Sequence, residues 1–133
     1  MTDLAAVQVG DELPTVIMES SLMTSVMYAA ASGDYNPLHY DESIASRISP
    51  TGGIIAHGMF SMGLASRVLT GWAGGPERVS AVDVRFSKPW PLGTTSTFGG
   101  TVTKVDAEEI AVELWGTTAG GETILRGHGT VRR

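Results

Sequence analysis

Between Ile48 and Ser66 the chain carries no charged residue, and this stretch opens a segment, Gly58 to Trp72, whose only charge is Arg67. Its apolar side chains stand at Met59, Phe60, Met62, Leu64, Ala65, Val68, Leu69 and Trp72. At helical spacing they cover most of the circumference, which predicts a helix buried on several sides. The uncharged run also holds Pro50, His57 and the glycines 52, 53, 58 and 63, so it is too polar and too broken to cross a bilayer. Such a helix must find its cover within a protein core.

The second half of the sequence supplies that cover. Val82, Val84 and Phe86 alternate with Asp83, Arg85 and Ser87, the period of a half-buried strand. Lys88-Pro89-Trp90-Pro91-Leu92-Gly93 interrupts the pattern, Thr94 to Val105 resumes it, and Gly99-Gly100 predicts a bulge. Ile110, Val112 and Leu114 alternate again, and Ala119-Gly120-Gly121 turns the chain into a last strand, Glu122 to Val131. In the first half, Glu12 to Ser20 reads as a strand. Leu22 to Ala31 reads as a helix, with Ser21 or Thr24 as N-cap and Gly33 past its end. Asp34 to Leu38 is expected to be irregular because Pro37 disfavours helical dihedrals at Asn36. Asp41 to Ser46 allows one or two helical turns. The expectation is one α+β domain, residues 1–133, with an antiparallel sheet wrapped around the Gly58–Trp72 helix.

Composition narrows the function classes. Fourteen acidic residues against nine Lys and Arg leave a formal charge of −5, a poor field for nucleic acid or an anionic membrane. The chain has no cysteine, which excludes disulfides, a thiolate nucleophile and cysteinyl metal sites. No Lys or Arg precedes Arg47, so the start lacks the basic region of a targeting peptide, and a cytoplasmic protein is expected.

Two segments can carry chemistry. Asp34 and His39 lie five residues apart in Ser-Gly-Asp-Tyr-Asn-Pro-Leu-His, where one loop can hold a carboxylate and an imidazole around a shared water. An ordinary helix-exit turn, with Asp34 as a cap and His39 on the surface, fits the same spacing. Asn36 has an amide suited to locking that loop. In the second segment, Gly58 begins the long helix, where a backbone N–H at the positive end of the dipole can meet an oxyanion, or simply start a helix. His57, among apolar neighbours, suits a core histidine as well as a site residue. Ser66 either lines the helix's pocket side or bonds a carbonyl one turn back. Arg85 and Lys88 either meet the phosphates of an acyl carrier or form the solvent face of a strand. Gly58 to Gly63 has the wrong spacing for a nucleophile elbow, and His39, His57 and His128 form no zinc pattern.

Taken together, these residues resemble the MaoC-like, or R-specific, hydratase family of the hot-dog fold. The family pattern is an aromatic followed by Ser-Gly-Asp-x-Asn-Pro-hydrophobic-His-x-Asp. It is matched by Tyr28, Ser32, Gly33, Asp34, Asn36, Pro37, Leu38, His39 and Asp41. A second landmark is matched by Ile55-Ala56-His57-Gly58-Met59. The resemblance implies a catalytic dyad of Asp34 and His39, the Gly58 N–H as oxyanion donor, and Asn36, Ser66 and His57 as supporting or substrate-binding residues. It implies an acyl thioester of coenzyme A or acyl carrier protein as substrate, and no cofactor or metal. It also implies a homodimer, or a heterodimer with another hot-dog subunit. Within the family, the chain looks most like the catalytic subunit of actinobacterial (3R)-hydroxyacyl-carrier-protein dehydratases.

The implied reaction is reversible hydration of a trans-2-enoyl thioester. Two alternatives remain. A hot-dog thioesterase generally needs a carboxylate on or near the central helix, and Gly58 to Trp72 has none. A silent acyl-binding subunit typically lacks the Asp or the His, and both are present here.

Overall fold

The structure is a computed structural model and describes residues 2–133. Strand β1 (Val16–Glu19) leads into helix α1 (Leu22–Ser32), a 3-10 turn (Pro37–His39), helix α2 (Glu42–Ile48) and helix α3 (Gly58–Ala73). A second 3-10 turn (Pro76–Arg78) precedes strands β2 (Val79–Phe86), β3 (Thr95–Val105), β4 (Glu109–Thr118) and β5 (Thr123–Arg132). The strands form one five-stranded sheet in the order β1-β3-β4-β5-β2. All four pairings are antiparallel.

The sheet curls over α3, which buries Leu64, Ala65, Val68, Leu69, Trp72 and Ala73 against it. From the sheet come Phe98, Val102, Ile110, Val112, Leu114, Leu125 and Val131, each at most 1% exposed. Each such large side chain removed from water contributes about 1.5–3 kcal/mol, which makes this layer the main source of stability. Close approach of helix and sheet depends on Gly129: a Cβ there would sit 2.3 Å from Leu69 Cδ1. The helix is covered on one wide face and not all round, since Met59 on its first turn is 56% exposed.

Local chemistry sets the element ends. Ser21 Oγ accepts from Thr24 N at 3.1 Å and starts α1, while Gly33, at φ 76°, ends it in the left-handed conformation. The Asp41 carboxylate takes N–H bonds from Ser43 and Ile44 and starts α2. A hydrogen bond from the Ser43 hydroxyl, with those N–H bonds, holds its carboxyl below the usual carboxylate range.

Two expectations for the strands need correction as well. The first strand is only Val16–Glu19; Glu12 makes an isolated bridge to Thr101, and Pro14, lacking an N–H, lies between. Gly99 and Gly100 form no bulge, for they pair in unbroken register with Trp115 and Leu114, and the shift falls between Val102 and Lys104. These glycines are there for space: a Cβ on Gly99 would lie 2.3 Å from the Trp115 ring, and one on Gly100 2.7 Å from Val112.

Candidate active site

The irregular segment after α1 is a chain of short hydrogen bonds. Ser32 Oγ donates to Tyr28 O at 2.7 Å and accepts from Asp34 N at 3.2 Å. Asp34 Oδ1 accepts from Asn36 N at 3.2 Å, and Asn36 Oδ1 accepts from Leu38 N at 3.1 Å. Each Asx bond replaces a backbone bond that Pro37 and Gly33 deny to a helix. One carboxylate oxygen of Asp34 is thereby tied to the loop. The other faces His39, with Oδ2 3.9 Å from Nε2.

His39 is oriented from the opposite side. Its Nδ1 lies 2.7 Å from the carbonyl of Ile55, which can only accept, so the proton of the neutral ring sits on Nδ1. Nε2 is left as a lone pair facing Asp34. Ile55 cannot drift, because Ala56 N donates to Trp90 O at 2.8 Å and Leu92 N to Ile54 O at 3.0 Å. The Pro-rich interruption that breaks the strand pattern is therefore the clamp that fixes the tautomer of His39. At 3.9 Å the two groups are too far apart for a direct hydrogen bond and well placed to share one water.

Directly after this segment α3 begins. The His57 side chain makes no cap bond, so the Gly58 N–H at the helix start is left for a ligand oxygen. A cavity of about 270 Å³ opens there, lined by His39, Gly58, Ser61, Phe86, Trp90 and Ile124 among others. Trp90 is fixed in its wall by an Nε1–H bond to Thr94 O at 2.8 Å. Lys88 also lines this cavity and pairs with Glu122 at 3.1 Å. Arg85 lies outside it, exposed and opposite Arg126 in the sheet register.

The other sequence candidates fall into distinct positions. His57 is 2% exposed, stacks on His39 with ring centres 3.8 Å apart, and has Nε2 3.1 Å from the backbone carbonyl of Asp34. Burial, and more weakly the neighbouring His39, lower its pKa; the bond to the Asp34 carbonyl and the Asp34 charge pull the other way without reversing the shift. Ser66 Oγ donates to Met62 O at 2.9 Å, the back-bonding alternative, and is absent from the cavity lining. Ser61 occupies that place. It stands one turn from Gly58, a spacing that could have marked it in the sequence. Phe86 and Trp90 had no such signal, because only the tertiary fold brings them to the helix start.

Asp34, His39 and His57 offer donor atoms within 4.8 Å of one another. With His39 Nδ1 and His57 Nε2 engaged by carbonyls, the remaining nitrogens belong to two rings tilted by only 25°. In-plane lone pairs on stacked rings do not converge on one ion at the roughly 2 Å a metal–nitrogen bond requires, so the set does not fit a metal.

A curled antiparallel sheet around a buried helix, with an acid and an imidazole on a loop beside that helix's N-terminus, defines a hot-dog domain of the hydratase type. The chain belongs to the MaoC like domain family, whose model matches residues 6–119. It is 34% identical over 122 residues to a protein of Rhodospirillum rubrum named (R)-specific enoyl-CoA hydratase, covering 90% of this chain and 81% of that one. It is 28% identical over 116 residues to a Mycobacterium tuberculosis protein named 3-oxo-4,17-pregnadiene-20-carboxyl-CoA hydratase beta subunit, covering 87% and 89% of the two chains. Among solved structures, an (R)-hydratase from A. caviae involved in PHA biosynthesis superposes with a TM-score of 0.86 at 25% identity, over 95% of this chain and 96% of that one. No helix among the described residues is long and apolar enough to cross a membrane.

Proposed function

We propose that the chain is a reversible hydratase of trans-2-enoyl thioesters, dehydrating (3R)-hydroxyacyl thioesters in the other direction. The reading rests on one observation above all: His39, which lines a cavity together with the Gly58 helix start, holds its Nε2 3.9 Å from Asp34 Oδ2. Family membership and hydratase-named relatives support it.

The chemistry needs a base for water, a proton source for the α-carbon and a place for enolate charge. One water bridges Asp34 and His39. As its oxygen attacks C3, one member of the pair takes its proton, and the pair returns a proton to C2. The thioester oxygen, which gains negative charge in between, accepts from the Gly58 N–H at the positive end of α3. Proton transfer of this kind contributes about 10²–10⁴-fold and one oxyanion donor about 10²–10³-fold. Asp34 and His39 act on the same water, so the acid and base roles belong to the two together. Asn36 acts through the loop, and Ser61 shares the cavity wall with Gly58.

The substrate is an acyl thioester of coenzyme A or of a carrier protein, and a cytoplasmic location accords with that. The whole chain acts as one hot-dog domain, first as a homodimer. A heterodimer with a second hot-dog subunit is favoured by one finding, the relative named as a beta subunit. Following the enoyl-thioester absorbance with crotonyl-CoA, longer enoyl-CoAs and carrier-protein thioesters tests the activity. Chiral separation of the product tests its hand: loss of absorbance with a (3R) product is expected, and a (3S) product or hydrolysis to free acid overturns the reading.

A further inference from the structure

We propose that His57 is the positioning residue of this site: an imidazole that clamps the Asp34 loop and backs the ring of His39, held there at a cost to stability. The inference rests on the hydratase reading and extends it to a residue that touches neither water nor thioester in that mechanism.

Three observations carry it. His57 Nε2 lies 3.1 Å from the backbone carbonyl of Asp34, so its N–H ties the start of the 34–39 loop to the start of α3 across 23 residues of sequence. Its ring stacks on His39 at 3.8 Å and 25°, backing one face of an imidazole whose edge the Ile55 carbonyl holds. Its remaining nitrogen, Nδ1, is buried and has no hydrogen-bond partner among the described residues. A buried polar atom left unpaired destabilises the fold, so an apolar ring of the same shape would serve a purely structural purpose better. What only this side chain supplies is a flat ring for His39 and an N–H for Asp34.

The surroundings keep that ring neutral. Facing it are the Tyr28 ring from α1, edge-on at 4.8 Å, His39 from the 3-10 turn, and Asp34, whose carbonyl it binds. Asp34, the only carboxylate among these, is mostly exposed to solvent. A second imidazolium stacked on His39 would oppose every proton that His39 accepts. A neutral one leaves the Asp34–His39 pair free to cycle.

Three variants separate the two jobs from bulk. His57→Phe keeps the stack and discards both the N–H and the orphaned nitrogen. His57→Gln keeps an N–H near the Nε2 position without the ring. His57→Asn has an amide too short to reach. Steady-state hydration of crotonyl-CoA and thermal melting are measured for each. The expected result for His57→Phe is a melting temperature equal to or above wild type with kcat down about 10- to 100-fold and KM within about threefold. His57→Gln should recover part of that kcat, and His57→Asn should not. If His57→Phe fails to fold, the Gln-against-Asn comparison decides alone. Full kcat in the Phe variant, or equal losses in Gln and Asn, overturns the proposal. An inactive wild-type enzyme would instead overturn the hydratase reading, while a raised melting temperature of His57→Phe would still report the orphaned nitrogen.

Discussion

His39 Nε2 and Asp34 Oδ2 face each other at 3.9 Å, each fixed from behind by a backbone group: the Ile55 carbonyl on Nδ1 and the Asn36 N–H on Oδ1. The separation is maintained by two loops that meet only in the folded chain. Asp34→Asn or His39→Gln should therefore leave the circular dichroism of the fold unchanged and lower kcat by about 10²-fold or more. The double variant should be little worse than the poorer single one, because the pair acts on one water. Near-normal turnover in either folded single variant would remove the dyad.

Gly58 tests the helix start. A Cβ there would meet the Phe86 ring at 3.3 Å, and Phe86, 46% exposed, can give way. Gly58→Ala should thus cost little stability, under about 1.5 kcal/mol, yet add a methyl between two walls of the cavity beside the N–H. The expected outcome is kcat/KM down about tenfold or more with an almost unchanged denaturation midpoint. Unchanged kcat/KM would place the thioester elsewhere.

Much of this was legible before the fold was known, for definite physical reasons. The limits of α1 and α3 follow from Ser21, Gly33 and the apolar spacing of Leu64, Ala65, Val68 and Leu69, all local or periodic signals. The Ser-Gly-Asp-x-Asn-Pro run bends the chain by side-chain bonds that span two residues, so its shape too is written locally. The contacts that complete the site are not local. His39 to Ile55 spans 16 residues and His57 to Asp34 spans 23, and no spacing rule reaches them. The predicted Gly99-Gly100 bulge failed for a similar reason. A glycine that bends a strand and one that makes room for a cross-strand Trp115 are identical in sequence, and only the sheet register distinguishes them.

That register yields a stability prediction. A Cβ on Gly129 would lie 2.3 Å from Leu69 Cδ1, with Leu69 fully buried between helix and sheet. Gly129→Ala should therefore destabilise the fold by about 1–3 kcal/mol in chemical denaturation. Gly63→Ala, on the exposed side of the same helix with nothing within 4 Å of its Cβ, should be neutral or stabilising. Equal effects would mean that α3 does not pack on β5 as described.

Burial of His57 also sets a pH dependence. Its pKa is lowered in the folded chain, first by desolvation, so below about pH 6.5 the unfolded chain takes up a proton that the folded one refuses. The stabilisation is complete above that pH and is lost as pH falls toward the folded-state value. Between pH 7 and pH 5.5 the melting temperature of wild type should fall further than that of His57→Phe, which has no such group. Parallel curves for the two proteins would show that His57 is not the buried group responsible.

The last prediction concerns assembly. The sheet ends in two unequal edges: β1, four residues long, and β2, eight residues long, whose backbone groups pair with β5 on one side only. A long strand with one free side is an invitation to another strand, and no proline blunts β2. Its sequence suits a copy of itself. In an antiparallel two-fold pairing centred on Val84, Asp83 falls opposite Arg85 of the partner subunit and Arg85 opposite the partner's Asp83, so each side presents its own complement. Phe86, at the end of this strand, lines the cavity beside Gly58, so pairing would bring the second subunit close to both sites. Sedimentation equilibrium at micromolar concentration should therefore give about 28 kDa, twice the 14.0 kDa chain. Reversing one charge, as in Arg85→Asp, should weaken the dimer by setting like charges opposite each other twice over. The compensated variant Asp83→Arg with Arg85→Asp should restore it. A 14.0 kDa species with full activity would show that the cavity needs no second copy.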